Sequence, residues 1–234
     1  MFETRCVDGV CRLGHEGARW LATGWDGGYR TADAAFNVSV PTGFERTDLD
    51  DYARERLSVA GFERAGPVLL TGVDLVHARG ARAGSVTVVA TVGLSNPASL
   101  PVENGQARAA EASADDQPPV GTVNLLVGTT RALEDGTLAT LLATAVEAKA
   151  ATLQSLTGFT GTTSDALAVG CDPGGDPMAF AGSGTEVGSA VRACVRDTVT
   201  ASLRARYTDT DLPLSVADAA HGVVTDRETE PFQP

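Results

Sequence analysis

Three groups of polar side chains in the second half of this 234-residue chain have the types and spacing to do chemistry. One is Glu147 with Lys149, set in a run of small and apolar residues. Another is the stretch Gly161–Thr162–Thr163–Ser164–Asp165, three hydroxyls and a carboxylate opened by a glycine. The third is Thr122 with Asn124. An amine and a carboxylate can transfer protons or stabilise a developing oxyanion. A glycine-opened hydroxyl loop can present N–H and O–H groups to an oxyanion or a phosphate. It equally suits a Ser/Thr turn in which Asp165 bonds its own backbone. Residues two apart on a strand share a face, so Thr122 and Asn124 either line a site or make cross-strand hydrogen bonds.

Lys149 stands out because it is the chain's one lysine. A helical projection from Leu138 puts Leu156 at about 0°, Leu142 at about 40°, Leu153 at about 60° and Val146 at about 80°. Lys149 falls at about 20°, inside that apolar stripe. Burying an ammonium costs on the order of several kcal/mol unless a carboxylate or polar ligand meets it. Three readings fit: a functional amine, a stem that snorkels to water, or a purely structural ion pair. Desolvated, the amine would serve as general base or acid; paired with a carboxylate, it would keep its charge and stabilise an oxyanion. Glu147 projects to about 180°, on the opposite face. Its neighbours Ala139, Thr140, Ala143, Thr144, Ala150 and Ala151 are small and uncharged, which suits close packing or a substrate cleft.

The elements that must position these groups follow from periodicity and turn chemistry. Gly121–Thr129 and Asp165–Gly170 have the composition of strands, and Leu133–Leu156 that of a long helix ended by Gly158. Strand, helix and strand in that order predict a parallel βαβ crossover. Pro173–Gly184 is a glycine-rich loop. Ser183 with Glu186 forms a capping-box pattern ahead of a helix whose buried face is Val187, Val191, Cys194, Val195, Thr198 and Val199. In the first half, Trp20–Gly24 and Ala35–Val40 are short strands around the turn Asp26–Gly27–Gly28. Leu49–Leu57 is a weak helix with Thr47 and Asp48 as capping candidates. Val68–Leu75 and Ser85–Val92 form an expected hairpin across Gly80–Gly84. Pro101–Val120, polar, acidic and bracketed by prolines, is an expected flexible surface loop. The fold class expected is α+β, a mixed sheet with helices packed on it, in one domain spanning 1–234.

Composition excludes several classes. Thirty acidic residues face 18 basic ones, for a formal charge of −12. A dense acidic surface nearly free of lysine fits a protein working in concentrated salt, which screens self-repulsion; a GC-rich genome also favours arginine over lysine. Either way no basic stripe offers itself to nucleic acid or an anionic membrane. Met1–Cys6 lacks the form of a signal peptide, and no 18-residue apolar run exists, so a soluble, cytoplasmic protein is expected. Cys6, Cys11, Cys171 and Cys194 are too few for a disulfide scaffold. The Cys6–Cys11 spacing with His15 is a poor zinc pattern. His15, His77 and His221 are too scattered for a triad or a metal cluster, so no metal and no cofactor is expected.

The ordered set Gly121–Thr122–Val123–Asn124, Ala145–Val146–Glu147–Ala148–Lys149 and Gly161–Thr162–Thr163–Ser164–Asp165–Ala166 resembles the adenosylcobinamide amidohydrolase family. Trp25–Asp26–Gly27–Gly28, Ala35–Phe36–Asn37, Ala181–Gly182 and Val187–Gly188 resemble its flanking signatures, so the resemblance runs from Trp20 to Leu203. It implies hydrolysis of adenosylcobinamide to adenosylcobyric acid and 1-amino-2-propanol, in cobinamide salvage for cobamide synthesis in archaea and some bacteria. The implied partner is a corrinoid small molecule; the oligomeric state is left open, a homo-oligomer included. On this reading Glu147 or Asp165 is the general base and Lys149 the oxyanion stabiliser or proton donor. Thr122, Asn124, Thr144, Thr162, Thr163 and Ser164 would bind substrate, and a Thr or Ser of the loop could be the nucleophile. Two departures stand out: Thr163 occupies a position where the family usually has glycine, and Ser183–Gly184 a place where it often has basic residues. A non-catalytic corrinoid carrier or sensor is the rival reading.

Overall fold

Two strands in the middle of the molecule are buried along their whole length, Val86–Val92 (VTVVATV) and Val123–Thr129 (VNLLVGT). A strand apolar on both faces needs cover on both, and the fold supplies it. The computed structural model describes residues 1–63, 66–101, 121–208, 211–219 and 221–233. In chain order the elements are β1 (Glu3–Val7), β2 (Val10–Ala22), β3 (Gly28–Ser39), α1 (Leu49–Val59), β4 (Val68–Thr71), β5 (Arg79–Ala83), β6 (Val86–Val92) and β7 (Pro97–Ser99). They continue with β8 (Val123–Thr129), α2 (Asp135–Thr157), β9 (Gly161–Thr162), β10 (Ala166–Cys171), α3 (Glu186–Arg206) and β11 (Val223–Val224).

The large sheet runs β4-β3-β2-β10-β8-β6-β5, with β1 paired to β2 off that path. It is mixed, since β10 runs parallel to β8 and antiparallel to β2. On one face, Val88, Leu125, Val127, Leu167 and Val169 pack against Leu138, Leu141 and Leu153 of α2 and Val191, Val195 and Val199 of α3. Each such side chain contributes on the order of 1.5–3 kcal/mol when fully buried. On the other face, Phe2, Leu13, Trp20, Leu69, Val89, Leu126 and Ala168 form one cluster, although β4 and β6 lie far apart in strand order. The sheet therefore curls over itself. Asn124 on β8 donates to the Leu70 carbonyl on β4 at 2.8 Å, across the three strands that separate them in the sheet. A third cluster seats Tyr52, Ala53 and Leu57 of α1 on Phe36, Val38 and Val68.

The α+β class, the mixed sheet and the β8–α2–β10 crossover all match the sequence reading. Gly158 ends α2 at φ 80°, the left-handed conformation a helix-terminating glycine supplies. All six residues expected on the buried face of α3 are buried. Several local expectations are corrected. Val68–Thr71 does not pair with Val86–Val92; it lies parallel to β3, and the hairpin partner of β6 is β5. The reason is that β4 has its own apolar surface to cover, against α1 and β3, while the Gly84 turn needs only the short segment before it. The α3 cap is Thr185 rather than Ser183: its side chain accepts from Gly188 N at 3.0 Å, and Glu186 instead pairs with Arg131. Asp48 precedes α1 without capping it, because Arg46 holds its carboxylate. Cys6 and Cys11, opposite each other in the β1–β2 register, form a disulfide, a local bridge rather than a scaffold. Of the acidic loop expected at Pro101–Val120, residues 102–120 lie outside the described residues.

Candidate active site

The crossover decides which polar groups meet. Parallel pairing sets Ala166 beside Asn124, so Thr122 and Asp165, just before their strands, arrive at the same sheet end. Helix α2 runs back along the sheet from the other end and delivers Lys149 there. Lys149 is 6% exposed, and its ammonium is bonded to Asp165 Oδ2. Of the three readings the sequence allowed for this lysine, snorkelling is excluded: the head group ends on a carboxylate under the loop.

Asp165 is the hub. Its Oδ1 accepts from Val123 N at 2.9 Å and from the Thr162 hydroxyl; its Oδ2 accepts from Thr162 N at 3.1 Å and from Lys149. Four donors occupy about the four lone-pair directions a carboxylate has. Such a carboxylate can take a further proton only by releasing a donor. Gly161 is required by space rather than by backbone freedom: a Cβ there would press on Asp165 Oδ2 and stand 2.7 Å from Lys149 Nζ.

Above this pair sits a layer of hydroxyls. Thr122 Oγ1 and Ser164 Oγ lie 2.8 Å apart, and Ser164 donates to the Gly121 carbonyl at 3.2 Å. Thr163 and Ser164 are exposed, whereas Thr162 is buried against Asp165. Thr163 has ordinary backbone geometry, since Asp8 is the one non-glycine with positive φ among the described residues. A Cβ at this position is thus accommodated.

Asn124 does not face the hydroxyl layer. It points into the curl of the sheet, where its Oδ1 accepts from Ala166 N at 3.2 Å and its Nδ2 donates to Asn37 Oδ1 at 2.9 Å. Asn37 in turn donates to Thr91 Oγ1 at 3.0 Å. This is the cross-strand alternative, and it anchors the start of β10 one residue after Asp165. Thr144 is also elsewhere: its hydroxyl donates to Thr140 O at 2.9 Å and Ala181 O at 3.3 Å, tying α2 to the loop before α3. Glu147 lies on the outer face of α2, paired with Arg192 of α3. Arg192 borders a groove of about 580 Å³ between the two helices, lined also by Ala148, Ala151, Thr152, Ser155 and Ser189. The structure therefore brings together Lys149, Asp165, Thr122, Thr162, Thr163 and Ser164, and leaves Glu147, Thr144 and Asn124 outside that cluster.

One member was missed from sequence. Asn96 is fully buried, donates from Nδ2 to Thr163 Oγ1 at 2.7 Å, and accepts from Thr163 N at its backbone oxygen, 3.2 Å away. Its only local signal is the Asn96–Pro97 dipeptide, which marks a turn and says nothing of a loop 67 residues on. The segment is held by Tyr207, whose hydroxyl accepts from Leu94 N at 2.7 Å. Burial pushes that phenol above its ordinary value, partly offset by the Leu94 bond.

Fold and site together define an α+β protein with a buried lysine–aspartate centre under a hydroxyl-bearing loop. The adenosylcobinamide amidohydrolase family matches residues 4–211. A protein named adenosylcobinamide amidohydrolase from Halobacterium salinarum, a halophilic archaeon, is 51% identical over 236 aligned positions, covering 100% of both chains. One of the same name from Methanosarcina mazei is 28% identical over 196 positions, 80% of this chain and 90% of that one. The chain belongs to the adenosylcobinamide amidohydrolase family. Among the described residues no helix is long and apolar enough to cross a membrane.

Proposed function

We propose that this protein hydrolyses the aminopropanol amide of adenosylcobinamide, releasing adenosylcobyric acid and 1-amino-2-propanol in corrinoid salvage. The observation that carries the reading is the end-to-end, 51% match to a relative bearing that activity in its name. Amide hydrolysis needs water at the carbonyl carbon, donors for the tetrahedral oxyanion, and a proton for the amine that leaves as the C–N bond breaks. In our reading Lys149 supplies the donor. One of its N–H groups is committed to Asp165, and that bond aims the ammonium; the remaining two are available to a developing oxyanion. Asp165 thereby holds the amine and the loop in place, and it becomes a proton acceptor where a donor is displaced. Ser164 and Thr163, exposed above the pair, orient the amide, with Thr122 and Asn96 fixing their hydroxyls. Glu147, paired with Arg192 on another face, has no contact with this cluster that would make it the base.

The test is turnover: purified protein incubated in high salt with adenosylcobinamide, with free aminopropanol and adenosylcobyric acid quantified. Release of both in equal amounts is expected. A protein that binds the corrinoid and releases neither would be a carrier or sensor. Lys149→Met and Ser164→Ala are expected to lower kcat by at least about 100-fold, the scale of losing one oxyanion donor, for the lysine, and less for the serine. Full turnover in a folded Lys149→Met protein would remove the amine from the mechanism.

A further inference from the structure

Trp25 is 38% exposed, while the other tryptophan, Trp20, is fully buried. It sits at the tip of the β2–β3 hairpin, and that tip is stitched to the candidate active site. Thr23 N donates to Leu167 O at 2.9 Å and Leu167 N to Thr23 Oγ1 at 2.9 Å, two residues beyond Asp165. Gly24, at φ 104°, packs against Ala166, where a Cβ would be 4.0 Å from that of the alanine.

The tip is rigid as well as near. The Arg30 guanidinium binds both carboxylate oxygens of Asp26, each at 2.9 Å, and its backbone carbonyl. Gly27 has no room for a side chain, since a Cβ would lie 2.7 Å from Ala22 O. Tyr29, the neighbouring aromatic, is already engaged: its ring faces Arg19 and its hydroxyl donates to Asp135 O at 2.8 Å. Among the described residues no ring or cation pairs with the Trp25 indole. A clamped turn holding an unpartnered, partly exposed indole beside a site is the arrangement of a stacking platform, which takes flat heterocycles through its π-face.

Resting on the reading of adenosylcobinamide as substrate, we infer that Trp25 is a specificity residue that stacks on the adenine of the adenosyl group. The adenine is the planar aromatic heterocycle of that substrate, whereas the corrin is a partly saturated, puckered ring with side chains projecting from both faces, a poorer match to an indole. The indole makes no bond to the reacting amide; it favours substrates carrying the nucleoside.

The experiment compares wild type, Trp25→Ala and Trp25→Phe. It measures kcat and KM for adenosylcobinamide, and the inhibition constant of a cobinamide carrying cyanide in place of adenosyl. Trp25→Ala should raise KM between about five-fold and 150-fold, the range for losing one stacked base. Its kcat and the inhibition constant of the cyano form should stay within about two-fold of wild type, and Trp25→Phe should recover most of the loss. Trp20 is the one tryptophan left in both variants, so its buried-type emission, excited selectively over the tyrosines, checks that they are folded. An unchanged KM overturns the inference. So does an equal loss for both corrinoids, which would mean that the indole touches the corrin. A fall in kcat alone overturns it too. If wild type releases no aminopropanol, the proposed activity itself has failed, a result distinct from all of these.

Discussion

Replacing Lys149 with methionine tests the centre of the structure without touching its shape. Methionine keeps the unbranched stem in the apolar stripe of α2 and deletes the charge. Lys149 and Asp165 have side chains 8% and 10% exposed, so this is a buried pair. Removing one partner of such a pair costs about 3–5 kcal/mol, because the other charge is left without compensation. Asp165 keeps three of its four donors, Val123 N, Thr162 N and the Thr162 hydroxyl. The expected cost therefore lies at the low end, about 3 kcal/mol. Urea unfolding of wild type and Lys149→Met, each at low salt and at about 1 M salt, measures it. An exposed pair would contribute about 0–1 kcal/mol and fade at 1 M, where the screening length is about 3 Å; the buried one should cost the same in both. A double-mutant cycle with Asp165→Asn should return a coupling of at least about 1 kcal/mol. A cost below about 1 kcal/mol in both salts, or a coupling near zero, would refute the argument from burial.

Gly161→Ala should destabilise by about 1–3 kcal/mol, the usual cost of overpacking. It should also reduce turnover, because its methyl drives Asp165 and Lys149 apart; an active variant of wild-type stability would contradict the geometry. Thr185→Ala removes the cap on Gly188 N and should cost about 1 kcal/mol by thermal or urea unfolding, whereas Ser183→Ala should be neutral. On acidification, Asp48 and Glu55 are held below the usual carboxylate range by hydrogen bonds from Arg46, and Asp135 by the two from Arg19. Their folded values lie below the unfolded ones, so the stability they add is present above the ordinary carboxylate range, about pH 4. It is lost as pH falls through the folded values. Unfolding midpoints should decline below about pH 4, and an Arg46→Gln/Arg19→Gln protein should decline less steeply over that window.

Some of this was open to inspection in the residues alone. The period of α2 placed Lys149 among leucines, where a carboxylate, a polar ligand or an escape to water had to make the charge tolerable; the structure supplies the carboxylate of Asp165. The α3 stripe was equally plain, because helix periodicity is local and all of its buried residues belong to one continuous run. The family resemblance likewise rested on short ordered motifs.

What tertiary structure decided was every question of partnership over distance. Strand alternation would put Asn124 and Thr122 on one face, yet Thr122 lies just before β8: Asn124 turns into the curled sheet toward Asn37 and Thr122 meets Ser164. Pattern cannot distinguish these, because both are hydrogen-bonding residues two positions apart. Asn96 was invisible since its partner is brought in by the pairing of β7 with β9. Glu147, whose nearest charge in sequence is Lys149 two residues on and on the opposite helix face, found Arg192 only when α2 and α3 packed together. Periodicity depends on torsion angles repeated along one stretch of chain and so survives in the sequence. Polar pairing depends on which strands become neighbours, a choice made by burial summed over the whole sheet.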